Sequence, residues 1–549
     1  MNGAGAAAVT PLRRPPRTHL TDTNYWLLLL HVLRAIMITV IVAVIALIAA
    51  YLFGTRYHDY WLKKGIKHDK PIPFFGTNFS VTFGLKSVTQ VFAEAYRKYP
   101  TEKAVGLYFE SRPMLVVRDL EIAKRVLTTD FANYYSRGLN HNKDVIEPMA
   151  KNLFFVDGDT WRLLRQRMTP AFTSGKLKAM FPLIVERAEK LQTRALQAAA
   201  AGKPLDARDL MARYTTDFIG ACGFGLDADS LNEEDSAFRK LGVKIFKPDF
   251  KDIIVIVVKQ LFPELFKHAK VLGKIELEIN ALVHEILTRR NYEPSGRNDF
   301  IDLLLECRKK GLMVGESIEK RKPDGTPLTV SMELDEALIA AQVFVFFAAG
   351  FETSSSATSY TLHELAYNPQ VQKKVQDEVD RVLAKHNNKL SYDAIREMTY
   401  LECTFKEGMR IFPSLGFLLR ECMVKTEIPE LGITLDPRIR VAIPLQAIQT
   451  DPQYFDNPWE FRPERFMEEN SSANKFDYLP FGIGPRACIG ERLGLMQSLA
   501  GLAAVLAKFT VKPAPASQRR PPVDPRGGIV QIVKDGIPLI FEERTARVH

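Results

Sequence analysis

Hydrophobic residues are spaced along this chain in three different ways, and each spacing predicts a different kind of element. From Ala35 to Phe53 the run "AIMITVIVAVIALIAAYLF" carries no charge over 19 residues. As a helix it would be long enough to cross the hydrocarbon of a bilayer. Tyr25, Trp26 and Tyr51 stand where interfacial aromatics belong. A cleaved signal peptide fits less well, because the apolar run is too long and no small-x-small site follows it. This predicts a flexible Ala-, Pro- and Arg-rich extension over 1–31, a transmembrane anchor over 32–54 and a basic, proline-bearing hinge over 55–76 that ends in "PIPFFG". A globular body over 77–549 follows.

In that body apolar positions recur at helical spacing to about Lys508, interrupted by short strand-like pieces such as "AVGLYF" and "PMLVV". One helical stretch runs without a breaker from about Ser331 to Asn368, where Pro369 is expected to end it. Such a helix would be roughly 55 Å long and would cross the whole domain. The last apolar run, "GIVQIVKDGIPLIF", reads as a terminal β hairpin. No internal repeat and no linker divides the body. The expected fold is mainly α with small β sheets, a single large helical domain behind one N-terminal transmembrane helix.

Charge and cysteine usage narrow the chemistry. Lys and Arg number 74 against 64 Asp and Glu, a net +10 with no compact basic run interleaved with aromatics, so nucleic acid is not an expected partner. The five cysteines are widely spaced without a CxxC, which argues against a disulfide framework or a zinc site, and "HELA" at 363–366 lacks the second histidine of a zincin helix. Any cysteine that matters here acts alone. Arg56, Lys63, Lys64, Lys67 and Lys70 follow the anchor more densely than Arg13, Arg14 and Arg17 precede it, so the body is expected in the cytosol. A mitochondrial presequence is the competing reading, but Pro15 and Pro16 break the amphipathic helix it requires.

The cysteine with the most telling surroundings is Cys488, in "FGIGPRACIG" at 481–490. The glycines superficially resemble a dinucleotide loop, yet "NKFDYLPF" precedes them where a buried strand would be required, and no βαβ unit follows. A thiol at the start of a helix sees the positive end of the helix dipole, which favours the thiolate. Gly484 and Gly490 let a flat ligand approach the backbone, Phe481 is placed to cover the sulfur, and Arg486 offers a cation to a carboxylate. A haem iron ligated by cysteine requires this combination.

The same ten residues match F-x-x-G-x-R-x-C-x-G at every specified position, and the chain resembles the cytochrome P-450 superfamily over roughly 71–541. Three further pieces stand in the family's order. "AAGFETS" at 348–354 resembles the segment of the helix over the haem in which Gly350 makes room for dioxygen and Glu352 and Thr353 relay protons. "EGMR" at 407–410 with Arg465 of "FRPERF" resembles the buried Glu–Arg–Arg cluster, although Gly408 departs from the bulkier residue usual there. "WRLLR" resembles the motif whose Trp161 and Arg165 hold the haem propionates.

The resemblance implies haem b with Cys488 as metal ligand and O2 as co-substrate. Electrons are expected from NADPH through a separate flavoprotein reductase, with a small b-type cytochrome as an optional second donor. Arg162, Arg167, Lys176 and Arg492 are basic residues expected to greet an acidic partner. The stretches "AAQVFVFFAAGFETSS" and "MTPAFTSGKLKAMF" look most like the microsomal, xenobiotic-metabolising arthropod branch, which implies a lipophilic substrate and an endoplasmic reticulum membrane. The pocket is expected from 137–153, 240–265, 348–353, 414–418 and 529–531. A haem-thiolate isomerase or dehydratase, and a membrane-anchored binding protein without catalysis, are the alternatives.

Overall fold

The computed structural model describes residues 22–544, apart from 110–111, 141, 227, 234–235, 247–248, 298 and 468–475. The chain divides after Arg56 into two units. In the first, one helix spans Asp22–Thr55. Its apolar side chains are exposed: Leu28, Ile45 and Leu47 are 65 %, 60 % and 70 % exposed. A helix apolar on all sides and exposed on all sides is suited to lipid. The hydroxyls of Thr39 and Thr55 donate to the carbonyls four residues back, so neither is left unpaired. The helix begins ten residues earlier than the anchor expected at 32, because the leucine-rich stretch after Tyr25 propagates it and no proline stands between Pro16 and its end at Thr55. The rest of the expected extension, residues 1–21, lies outside the described residues.

The second unit begins at Tyr57, so the stretch 57–76 belongs to the body and is no free hinge. Trp61 is fully buried, and its indole N–H donates to the Leu107 carbonyl at 2.9 Å. A Cβ on Gly106 would sit 2.5 Å from the Trp61 ring, so the glycine makes the room that this indole fills. The strands expected near residue 110 are present. Ala104–Phe109 pairs antiparallel with Arg112–Val117, and Arg440–Ile443 joins parallel and carries Leu418–Glu421 at the sheet edge.

The long helix of the body spans Glu336–Tyr367, 32 residues or about 48 Å. Asp335 caps it by accepting the Leu338 N–H at 2.7 Å. It starts five residues later than expected because Pro327–Met332 is a strand, paired antiparallel with Met313–Arg321 in a hairpin that the sequence reading missed. Pro369 acts as foreseen, and then opens the next helix, Pro369–Lys385. Serines and threonines within the central helix are buried, and Thr358 and Thr361 donate back to the carbonyls of Ser354 and Ala357. The helices Ala207–Ile219, Thr399–Ile411 and Glu491–Lys508 surround it. The terminal hairpin does not form on itself. Pro538–Glu543 pairs with Phe509–Pro513 and Leu205–Asp206, while the backbone of the 531–534 stretch bonds to Pro522, Asp524 and Ser414.

The Glu–Arg–Arg cluster is assembled as the resemblance implied. Glu407 and Arg410 are completely buried and share two hydrogen bonds of 2.7 and 2.8 Å, and Arg465 Nε lies 3.4 Å from Glu407. The departure at Gly408 has a steric cause. A Cβ there would lie 2.4 Å from Thr361 Oγ1, so the glycine lets the Thr399–Ile411 helix close on the central helix. Gly408→Ala is therefore expected to destabilise the fold by about 1–3 kcal/mol despite alanine's better helix propensity. The second change Thr361→Ala, which removes the clashing oxygen, should recover most of the loss in thermal unfolding. A Gly408→Ala protein as stable as the parent would refute this.

Candidate active site

The segment 480–490 folds into a tight loop before the Glu491–Lys508 helix. The Cys488 N–H donates to the Phe481 carbonyl at 2.8 Å, and the Ala487 N–H to that of Gly484 at 3.0 Å. Gly484 has φ +77°, and a Cβ on it would stand 2.2 Å from the Leu127 carbonyl oxygen. The sequence reading assigned this glycine to ligand approach. It serves close packing of the chain on itself instead, and Gly490 is the glycine that faces open space.

Cys488 borders a cavity of about 280 Å³ in the body and its side chain is exposed to that space. The other four cysteines are buried and free. Burial pushes the Cys488 thiol up, and the Gly490 N–H on its sulfur opposes this. The helix-start argument for a thiolate is thus outweighed by desolvation, and a cation bound at the sulfur would be needed to favour the ionised form.

Of the residues proposed from sequence, Phe481, Arg486, Cys488, Trp161, Arg165, Gly350 and Thr353 line this cavity together. Arg165 donates to the Ala487 carbonyl at 2.9 Å, tying the Gly158–Met168 helix to the cysteine loop. Arg486 lies over the Trp161 ring, 4.3 Å from its centroid. It also donates to Asp157 at 2.8 Å and to the Tyr135 and Val156 carbonyls.

Two arginines escaped the sequence reading. Arg137 and Arg420 line the cavity beside Arg486, one in a loop and one on a strand, where nothing in the local pattern marks an arginine as functional. Burial pulls Arg137 down to about 10 and Arg420 to about 9, and it also lowers Arg486, which the other two guanidiniums depress further. Asp157 opposes all three. Arg486 Nη1 and Arg420 Nε are buried without a hydrogen-bond partner. Buried donors and unbalanced positive charge of this kind call for an anion. A haem, with a metal for the sulfur and two carboxylates for the guanidiniums, fits the donor set.

The central helix forms the opposite wall. A Cβ on Gly350 would meet Ile219 at 2.3 Å, so the glycine admits the neighbouring helix at the cavity edge. Thr353 Oγ1 donates back to the Ala349 carbonyl at 2.6 Å, and Ser414 Oγ donates to the Thr353 carbonyl at 2.7 Å. Glu352 does not reach the cavity. Successive helical residues point about 100° apart, and its buried carboxylate is ion-paired with Arg208 of the neighbouring helix. The acid and the hydroxyl expected to work as a pair therefore face different ways.

Residues 137–153, 348–353 and 414–418 contribute to the lining as expected. Among the described residues, 240–265 and 529–531 do not, although Gln531 holds the Pro413 and Ser414 backbone just behind it. Positions 141 and 247–248 of those stretches lie outside the described residues.

Comparison with known proteins agrees with this geometry. The family model described as "Cytochrome P450" matches residues 67–539. Cytochrome P450 6B7 of Helicoverpa armigera is 35 % identical over 492 residues, covering 88 % of this chain and 94 % of the relative. Cytochrome P450 6a2 of Drosophila melanogaster is 36 % identical, covering 87 % and 93 %. Cytochrome P450 6d1 of Musca domestica is 34 % identical, covering 85 % and 93 %. A match over most of the chain, with a lone thiol among buried arginines in an apolar cavity, leaves one conclusion: the protein belongs to the cytochrome P450 family of haem monooxygenases.

Proposed function

We propose that this P450 monooxygenase binds haem b through Cys488 and inserts one oxygen atom of O2 into a lipophilic small molecule, xenobiotic or endogenous. The reading gives it an NADPH-dependent flavoprotein reductase as electron donor. The observation that carries it is the convergence of a single thiol, three buried guanidiniums and a helix-borne hydroxyl on one cavity.

Haem held by a cysteine thiolate supplies dioxygen activation. The chain supplies placement, protons and dryness. Arg137, Arg420 and Arg486 would hold the haem carboxylates, with Trp161 supporting Arg486 and Arg165 fixing the loop that presents the sulfur. Phe481 covers the sulfur side. Thr353, which lines the cavity, holds a proton at Oγ1 that it donates to the Ala349 carbonyl. Gly350 lets the Ile219 side chain close in and form the adjoining wall. Phe154, Phe172, Ile219, Phe346 and Leu415 exclude water and accept an apolar substrate. In this arrangement Glu352 serves as the buried partner of Arg208.

With reductase and a lipophilic substrate, the parent is expected to spend most of its NADPH on product. Thr353→Ala should bind haem and substrate normally but divert reducing equivalents to hydrogen peroxide, because the hydroxyl that holds the proton is gone. Measuring product and peroxide per NADPH decides this, and unchanged coupling in the variant removes the assigned role of Thr353.

The proposal also places the chain in the endoplasmic reticulum membrane, with the Asp22–Thr55 helix as anchor and the body over 57–549 in the cytosol. The basic residues that follow the helix support this orientation. Protease added to intact microsomes is expected to digest the body. Protection of the body, or its recovery with mitochondria after loss of the first segment, contradicts the placement.

A further inference from the structure

The hairpin formed by Met313–Arg321 and Pro327–Met332 takes no part in lining the cavity, yet it is fastened to the helix that does. Asp159, in the first turn of the Gly158–Met168 helix, accepts from Ser317 Oγ at 2.8 Å and from the Ile318 N–H at 2.7 Å. Tyr135 donates to Glu319 at 3.0 Å, and Arg167 donates to the Leu312 carbonyl at 2.7 Å. Gly315 lies against Leu163 and Gln166. The hairpin therefore rides on the side of this helix turned away from Trp161 and Arg165, which meet the cavity.

That position changes which charges are available to a partner. Arg162 is paired with hairpin Glu316 at 3.5 Å, and Arg167 is held by the Leu312 carbonyl just before the hairpin. Lys176 pairs with Glu306 at 3.7 Å, and Arg492 donates to Ser174 at 3.0 Å. All four cations expected to meet an acidic partner are thus engaged within the chain. The hairpin presents its own in their place. Lys320, Arg321 and Lys322 are exposed at its tip, and none has an acidic partner among the described residues. The tip is tied to itself by hydrogen bonds. Lys322 N donates to the Thr326 carbonyl at 2.8 Å, and Asp324 accepts from both the N–H and the hydroxyl of Thr326, while Glu316 and Glu319 on the same hairpin are engaged by Arg162 and Tyr135.

We propose that this hairpin is a docking element for the acidic face of the electron-donating flavoprotein, with Lys320, Arg321 and Lys322 as its contact cations. The inference rests on the flavoprotein reading above. A preformed cationic tip on the helix that supports the cysteine loop steers an acidic protein toward the thiol side of the cavity.

The test uses the full chain with haem, in nanodiscs of zwitterionic lipid, with Lys320, Arg321 and Lys322 all changed to Glu. Reductase affinity and the rate of reduction by reductase under carbon monoxide are measured against salt. Both are expected to weaken about tenfold at low ionic strength, with the gap closing as salt is added. Dithionite-reduced spectra should be unchanged, and the charge-keeping changes Lys320→Arg and Lys322→Arg should behave like the parent. If the parent is reduced by the flavoprotein and the reversed variant matches it at all salt concentrations, the docking role is wrong and the electron source stands. If the parent is not reduced, both fall. A defect seen only in discs containing anionic lipid assigns the tip to a membrane surface and overturns the proposal.

Discussion

Three guanidinium groups buried around one thiol set the terms for the rest of this structure. Arg137, Arg420 and Arg486 are drawn from a loop, a strand and the cysteine loop, and Asp157 opposes them. Burying like charges together is costly unless an anion joins them. The neighbouring elements are arranged around that demand. Asp157 and the Trp161 ring engage Arg486 from the Gly158–Met168 helix and its cap. Arg165 ties the same helix to Ala487. The fully buried Glu407–Arg410 pair holds the Thr399–Ile411 helix in the core with its own charges balanced. The contrast is informative: the Glu407–Arg410 pair balances its charge within the chain, and the arginines at the cavity outnumber the one carboxylate that opposes them.

Much of this was legible in the sequence where the relevant residues are contiguous or their spacing is forced. The cysteine loop could be read because its glycines, arginine and thiol lie within ten positions, and the central helix because 32 residues keep a helical pattern without a breaker. The uncharged run after Arg34 is similarly plain. Side-chain direction was harder to read. Glu352 and Thr353 are adjacent in sequence, but the rotation of their helix is fixed by packing against Ala207–Ile219 and by Arg208, and this turns the acid away from the cavity.

Residues whose role depends on distant neighbours were not legible at all. Arg420 sits in a strand and Arg137 in an irregular stretch, and either would be an ordinary surface arginine without the fold around it. The 313–332 hairpin was hidden because its strands are rich in charge and face solvent on one side, which leaves little apolar alternation to detect. Gly408 and Gly484 show the same limit. Each looks like a feature of local conformation or ligand approach, and each is explained by an atom far along the chain, Thr361 Oγ1 in one case and the Leu127 carbonyl in the other.

If the cavity holds haem through one sulfur while its arginines neutralise the carboxylates, the reduced carbon monoxide difference spectrum will report it. Recorded with haem content on the parent, Cys488→Ala and Arg420→Met, it should give the thiolate-type band in the parent and lose it in Cys488→Ala. Arg420→Met should keep the band position but hold less haem per chain. A thiolate-type band that survives in Cys488→Ala would show that this sulfur does not hold the haem.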